Sequence, residues 1–96
     1  MTINGARYGL YAGAEGKNVV NGGDITITST ENSNSRAAVF ATGNNSANAI
    51  TADSDGKIVI NGGWGGLGAA QQGVNNVSGG DIAITSGTSS PAVFAN

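Results

Sequence analysis

Short runs of alternating apolar and polar residues recur along the chain. Residues 24–28 read Asp-Ile-Thr-Ile-Thr, and residues 57–61 place Ile58 and Ile60 at alternate positions. A period of two is typical of a β-strand that buries one face. Glycine interrupts every candidate helix, so no segment of about ten residues carries the apolar stripe of a helix. The pattern therefore predicts an all-β protein.

Two further short strands complete the predicted set. One covers residues 38–42, with Val39 or Phe40 pointing inward, and the other covers residues 47–52, with Ile50 inward. Glycine and asparagine tolerate positive φ, so pairs that contain them mark turns. Such pairs separate the predicted strands at Gly22-Gly23, Asn44-Asn45, Asp55-Gly56, Gly62-Gly63 and Gly79-Gly80.

The chain contains an internal sequence repeat. Residues 3–29 align with residues 60–86 without a gap at an offset of 57, and 16 of the 27 positions are identical. The match resumes after a short gap, where residues 38–41 and residues 92–95 both read Ala-Val-Phe-Ala. Three residues of the stretch 30–36 are missing from the second copy, which predicts a surface loop there.

The repeat favours a parallel β-solenoid over an antiparallel sandwich, because stacked coils bring equivalent residues above one another. We expect one solenoid segment over residues 1–96, with repeat copies at approximately 1–57 and 58–96, the second incomplete. Each repeat spans either three coils of about 19 residues or two unequal coils. The second division follows from Ile-x-Ile strands at positions 25, 58 and 82. Because the chain begins and ends inside the repeat, we expect a fragment of a longer solenoid or a unit that stacks end to end.

Composition and charge narrow the possible partners. Glycine supplies 17 of the 96 residues, charged residues make up only 10%, and the formal net charge is -2. The basic residues Arg7, Lys17, Arg36 and Lys57 are scattered singly, so no basic stripe predicts a nucleic-acid partner. No apolar run approaches the roughly 20 residues that span a bilayer, so we expect no membrane insertion by this segment.

The chain has neither cysteine nor histidine. Their absence removes Cys/His zinc sites, Ser-His-Asp triads and Cys-His pairs. The segment Asp53-Ser54-Asp55-Gly56 begins like a calcium loop but lacks the later ligands, and a solvated turn is predicted instead. We therefore predict no catalytic residues, no cofactor and no metal site, and hence no enzyme.

Asp24 and Asp81 occupy equivalent positions of the repeat and form a candidate carboxylate pair. Paired carboxylates hydrolyse glycosides when they lie about 5–10 Å apart. An offset of two or three coils separates these two by about 10–15 Å. A turn role after Gly-Gly is therefore the favoured interpretation.

Aromatic and glycine-rich positions offer a second class of candidates. The segment 62–66 reads Gly-Gly-Trp-Gly-Gly, but neither Lys-Ser/Thr nor a helix follows it, so no phosphate-binding loop is predicted. Its Trp64 is a candidate to stack on a sugar ring, with packing over a turn as the alternative. Tyr8 and Tyr11 lie in the matching segment of the first copy, which indicates a more aromatic face.

The two phenylalanines also lie at equivalent positions of the repeat. Phe40 and Phe94 are predicted to stack in or near the core.

Three runs resemble the degenerate repeats of bacterial autotransporter passengers of the pertactin-like and self-associating adhesin kind. These are Gly-Gly-Asp-Ile-Thr-Ile-Thr-Ser (22–29), Ala-Ala-Val-Phe-Ala-Thr-Gly (37–43) and Gly-Lys-Ile-Val-Ile-Asn-Gly-Gly (56–63). The resemblance implies a right-handed parallel β-helix, export to the bacterial cell surface, and roles in adhesion, cell–cell aggregation and biofilm formation. No passenger protease triad carries over, because histidine is missing.

The leading functional prediction is a structural and adhesive module of a bacterial cell-surface adhesin, located outside the cell. Its expected partners are other copies of itself, or a glycan or protein of a host or cell surface. The alternative is an extracellular fibre subunit that stacks end to end through open solenoid ends. A carbohydrate-processing β-helix enzyme is a third hypothesis, against which the four scattered basic residues argue.

Overall fold

The computed structural model describes residues 1–31, 37–87 and 92–95. Within them the chain forms eleven β-strands, and no helix there is long and apolar enough to cross a membrane. The strands are β1 (Thr2–Gly5), β2 (Leu10–Gly13), β3 (Lys17–Gly22), β4 (Ile25–Ser29), β5 (Ala37–Thr42), β6 (Ala47–Ala52), β7 (Lys57–Gly62), β8 (Gly65–Ala70), β9 (Val74–Ser78), β10 (Asp81–Ser86) and β11 (Val93–Ala95).

The strands form three parallel sheets. Sheet A has the order β1-β4-β7-β10, sheet B has the order β11-β8-β5-β2, and sheet C has the order β3-β6-β9. Consecutive strands thus belong to different sheets, and each strand pairs with one that lies three strands away along the chain. We call β1 to β3 layer 1, β4 to β6 layer 2, β7 to β9 layer 3, and β10 and β11 layer 4. This arrangement of parallel strands in stacked sheets is compatible with the predicted β-solenoid.

The strand register decides how many layers one sequence repeat spans. In sheet A, Ile25 pairs with Ile58, and Ile58 pairs with Ile82. The steps are therefore 33 and 24 residues, and two layers make up the 57-residue repeat. The division into three coils of equal length is wrong. Unequal steps are possible because the connections between sheets absorb the extra residues, and the longer step contains the stretch 30–36.

All four strands that the sequence predicts are present, as β4, β5, β6 and β7. Ile50 points inward as expected, and in β5 it is Val39 that is fully buried. Phe40 therefore faces outward and is half-buried, so of the predicted places in or near the core it does not take the one inside. Phe40 pairs with Gly68, and Gly68 pairs with Phe94, so the two positions are not in adjacent layers, as the predicted stacking requires; the side chain of Phe94 lies outside the described part of the structure.

The predicted surface loop at 30–36 is described only in part. Thr30 is exposed and donates its backbone N–H to the Gly5 carbonyl at 3.2 Å. Residues 32–36 lie outside the described part of the chain.

The core is a stack of branched apolar side chains between the sheets. Strand β4 alternates buried and half-buried residues along its whole length, as the period of two predicts. Ile25, Ile27, Ile58 and Ile60 are completely buried and pair above one another across β4 and β7. Sheet B contributes Val39 to the same cluster. Each fully buried isoleucine or valine side chain stabilises the fold by about 1.5–3 kcal/mol relative to exposure.

A ladder of three asparagines connects the layers along sheet C. Asn18, Asn48 and Asn75 are in register, and the Oδ1 of Asn48 accepts a hydrogen bond from Asn18 Nδ2 at 2.9 Å. Asn48 Nδ2 in turn donates to Asn75 Oδ1 at 2.9 Å. Each of the three Nδ2 groups also donates to a backbone carbonyl of its own layer, at Tyr11, Phe40 and Gly68 respectively. Because Asn48 is completely buried, these bonds satisfy polar groups that would otherwise be costly.

Along β2, β3, β8 and β9 the internal repeat keeps its inward-facing residues and varies its outward-facing ones, whereas in sheet A the outward-facing pairs Asn4/Asn61 and Thr28/Thr85 are also identical. In strands β2 and β3 and their counterparts β8 and β9, inward-facing positions are identical between the two copies. These pairs are Leu10/Leu67, Ala12/Ala69, Asn18/Asn75 and Val20/Val77. Outward-facing positions differ, as at Tyr11/Gly68, Lys17/Val74 and Val19/Asn76. Inward residues must fit the layer above and below, whereas outward residues meet solvent and can change.

Candidate functional site

The candidate carboxylate pair, Asp24 and Asp81, lies where the strands of sheet A begin. A lysine, Lys57, lies in the layer between them. Asp81 pairs with Lys57, and the Oδ1 of Asp24 accepts a hydrogen bond from the Lys57 backbone N–H at 2.9 Å. Two layers thus separate Asp24 from Asp81, which corresponds to about 9.6 Å along a parallel sheet. The Asp24 carboxylate satisfies a backbone donor of the next layer, which is the turn role that the sequence predicts.

The segment Asp53-Ser54-Asp55-Gly56 forms the turn that leads from β6 to β7. The backbone N–H of Gly56 donates to the Asp53 carbonyl oxygen at 2.8 Å, and Asp53, Ser54 and Asp55 are all exposed. No three carboxylates approach one another closely enough to hold a metal ion within the described residues. The geometry is that of a solvated turn before a strand.

The glycine-rich segment 62–66 joins sheet A to sheet B. Gly62 ends β7 and Gly65 begins β8, so a strand follows the segment and its backbone N–H groups do not converge at a helix terminus. A Cβ atom at Gly62 would overlap the carbonyl oxygen of Gly65, which explains a glycine at this corner. Trp64 is half-buried at the same corner and makes contacts with its surroundings.

An aromatic cluster covers part of the outer face of sheet B. It consists of Tyr8, Tyr11 and Phe40, whose ring centroids lie 4.8, 5.8 and 6.0 Å apart in the three pairs. The Tyr8 and Phe40 rings are nearly parallel, at 18°. Tyr11 remains 47% exposed. The cluster is limited to layers 1 and 2, because Gly68 occupies the corresponding place in layer 3.

The turns that join sheet B to sheet C stack into a second surface feature, which we call the turn ladder. It comprises residues 13–16, 43–46 and 70–73, and each turn closes with a backbone hydrogen bond from its last residue to its first, of 2.8, 3.2 and 2.9 Å. Neighbouring turns are joined by the Ala47 N–H to the Gly16 carbonyl at 3.1 Å and the Val74 N–H to the Ser46 carbonyl at 3.0 Å. The backbone N–H of Glu15 also donates to the buried Ser46 Oγ at 3.1 Å.

Residues other than glycine adopt left-handed backbone conformations in all three turns. Glu15 has φ 69°, Asn45 has φ 63° and Gln72 has φ 73°, and the residues before Glu15 and Gln72 also have positive φ. Two consecutive positive φ values are the signature of a type I′ turn, which glycine and asparagine usually occupy. A left-handed residue with a Cβ costs roughly 1–2 kcal/mol. Asn45 tolerates this conformation, whereas Glu15 and Gln72 keep their side chains against a steric penalty.

A groove of about 510 Å³ runs beside the turn ladder. Its polar lining comes from Lys17, Asn44, Asn45, Ser46 and Gln72, and its apolar lining comes from Ala47 and Val74. Lys17, Ala47 and Val74 are in register on the outer face of sheet C, so the groove spans three layers. Asn44, Asn45 and Gln72 are exposed. The groove therefore presents amide donors and acceptors beside a small apolar floor.

Sequence reasoning recognised Asn44-Asn45 as a turn but did not predict the groove. Its lining residues lie 27 to 30 positions apart in register, and they come together only once the layers are aligned. A partial signal exists in the sequence. Gly16 and Gly73 follow pairs of larger residues at equivalent places in the two copies, which is compatible with tight turns at both.

Comparisons of the chain with protein-family models, with curated protein sequences and with solved structures gave no match.

Proposed function

We propose that this chain is a structural and adhesive module of a bacterial cell-surface adhesin, which mediates attachment or cell–cell aggregation. The proposal includes a right-handed parallel β-helix of the autotransporter passenger kind. Connections between parallel strands of one sheet are right-handed in about 98% of cases, which supports this hand. The extracellular location is proposed from the resemblance of the chain to autotransporter passengers.

One observation carries the proposal, namely that β2 and β3 share their inward-facing residues with β8 and β9 but differ from them at outward-facing positions. Asn18 and Asn75 are identical and belong to the ladder, while Tyr11 is replaced by Gly68 at the outward position. A frame that repeats while its surface changes can present different side chains from layer to layer. Such a surface suits binding, because sites on a rigid scaffold need no further ordering when a partner arrives.

The proposal predicts that the folded chain makes cells adhere. We expect a non-adherent bacterium that displays this chain on its surface to settle from suspension, or to attach to host cells, several-fold faster than one that displays no insert. The matched control is Ile60→Asp, because a carboxylate at this completely buried position should unfold the chain. If the strain that displays the chain and the strain that displays Ile60→Asp settle and attach equally, at equal display level, an adhesive role is ruled out.

A second candidate function, an end-to-end fibre subunit, is supported by the equivalence of the layers. Layer 3 repeats the sequence of layer 1, and β10 and β11 of layer 4 repeat that of β4 and β5 in layer 2, so Ile3 corresponds to Ile60 and Ile84 corresponds to Ile27. Ile27 and Ile60 pair within the chain. Layer 4 of one copy could therefore meet layer 1 of another as layer 2 meets layer 3, with Ile84 on Ile3.

Negative-stain electron microscopy of the purified chain across a concentration series tests this second candidate. Stacking predicts unbranched fibres that lengthen with concentration, and Ile84→Lys should abolish them by placing a charge at the junction. The control variant is Val19→Lys, because Val19 lies on sheet C and is 70% exposed. Discrete particles at every concentration would exclude the fibre.

A further inference from the structure

We propose that the groove beside the turn ladder is a binding site for a neutral oligosaccharide. This inference rests on the proposed attachment function and names the ligand class of that function. It is carried by four observations, namely the polar lining, the apolar floor, the charge balance and the left-handed residues of the turns.

The polar lining suits a ligand that is rich in hydroxyl groups. Asn44, Asn45 and Gln72 each carry a carbonyl acceptor and two N–H donors, and all three are exposed along the groove. A sugar hydroxyl is likewise both a donor and an acceptor, so one side-chain amide can pair with two adjacent hydroxyls. Within the described chain these side chains make no hydrogen bonds to other residues, and their pairing capacity remains for a ligand.

The floor and size of the groove suit a sugar ring rather than a small polar ion. Val74 is 48% exposed, and Ala47 lies beside it in register. These methyl groups can contact the C–H face of a pyranose, which is the apolar side of the ring. The volume of about 510 Å³ falls in the range of about 300–1,000 Å³ found for small-molecule sites. Because the groove is open and crosses three layers, it can accept a segment of a polymer.

The charge balance favours a neutral ligand over a polyanion. Among the described residues, Lys17 is the single cation of the groove lining. Glu15 lies two residues before Lys17 in the sequence, in the turn of the same layer, and carries a carboxylate. Binding of a polyanion relies on several cations that neutralise consecutive charges, whereas here the net charge of the whole chain is -2.

The backbone of the turns holds one lining side chain in an unfavourable conformation. Gln72 has φ 73°, where glycine would fit without steric penalty, whereas Asn45, at φ 63°, is of a residue type that tolerates this conformation. Glycine is abundant in this chain, with 17 residues, yet it is not used at position 72. Conformations of this kind tend to occur at functional sites.

Gln72→Gly removes a lining amide and relieves the strained turn, so the variant keeps or gains stability. Gln71→Gly is the matched control. Gln71 also has positive φ, at 51°, and its replacement brings the same backbone relief, but its side chain is not part of the groove lining. A second lining variant, Asn45→Gly, likewise removes a lining amide, in the neighbouring layer.

The binding experiment is a titration of the ¹⁵N-labelled chain, followed by nuclear magnetic resonance of the side-chain amides. The neutral probes are tetramers of β-linked glucose, α-linked glucose and β-linked N-acetylglucosamine, and the anionic probe is a galacturonate tetramer. We expect at least one neutral tetramer to shift the Asn44, Asn45 and Gln72 amide signals saturably. Gln72→Gly and Asn45→Gly should each weaken this binding about fivefold or more, and Gln71→Gly should leave it unchanged.

Three results would overturn the proposal. The first is the absence of saturable shifts at these amides with every neutral tetramer. The second is an equal effect of Gln71→Gly and Gln72→Gly on binding, and the third is saturable binding of the galacturonate tetramer alone. The cell-display assay separates this inference from the adhesive function. Adhesion that survives Gln72→Gly refutes the groove as its binding site, whereas oligosaccharide binding without adhesion refutes the adhesive function and leaves the groove in place.

Discussion

Replacing Ile25 by alanine is expected to lower the free energy of unfolding by about 2–5 kcal/mol. Ile25 is completely buried in layer 2, and it pairs with Ile58 in the next layer. Truncation removes buried methyl and methylene groups and leaves a cavity that rigid, hydrogen-bonded strands cannot close. Because small proteins are stable by only about 5–15 kcal/mol, this loss takes a large part of the total. Urea unfolding followed by circular dichroism measures it, with an unchanged m-value as the check on two-state behaviour.

Ile82→Ala is the matched control for this prediction. Ile82 is the same residue at the equivalent position of the second repeat copy, but it is 44% exposed in this chain. Its truncation should cost clearly less than that of Ile25, about 1 kcal/mol or below. Equal losses for the two variants would contradict the difference in burial between Ile25 and Ile82.

Asn48→Ala is expected to destabilise the chain by about 2–4 kcal/mol. The Asn48 side chain makes three hydrogen bonds, to Asn18, Asn75 and the Phe40 carbonyl, and it is completely buried. Alanine cannot replace any of them. Asn18 Nδ2 keeps its bond to the Tyr11 carbonyl, but the Asn75 Oδ1 and the Phe40 carbonyl would each lose the Asn48 donor, and losing a partner at a buried polar group costs more than the average value of one hydrogen bond. The free energy from urea unfolding again measures the effect.

The control for the ladder is Asn76→Ala. Asn76 follows Asn75 directly, but it is exposed on the outer face of sheet C and pairs with Ala49. Its replacement should change the free energy of unfolding by no more than about 0.5 kcal/mol. A small effect of Asn48→Ala, similar to that of Asn76→Ala, would contradict the ladder as a stabilising connection between layers.

The sequence predicted those parts of the fold that depend on local pattern. The Ile-x-Ile period identified β4 and β7, because a strand with one buried face must alternate its side chains. The repeat indicated parallel stacking, because equivalent residues recur where layers meet. The orientation of Phe40 could not be predicted from the local pattern. The run Ala37-Ala38-Val39-Phe40-Ala41 is apolar at every position, so the pattern did not reveal which alternate residues face inward.

The amino-acid sequence was therefore sufficient to predict the all-β class, the repeat and the residue types that fill the core. The number of layers in each repeat became clear only from the strand pairing, since steps of 24 and 33 residues in sheet A depend on how much chain each connection absorbs. The structure also decided that Ile25 is buried while Ile82 is partly exposed, because burial depends on the neighbouring layer. The groove likewise depends on how neighbouring layers are aligned. Lys17, Ala47 and Val74 meet through strand register, and register is a relation between distant segments that no local pattern encodes.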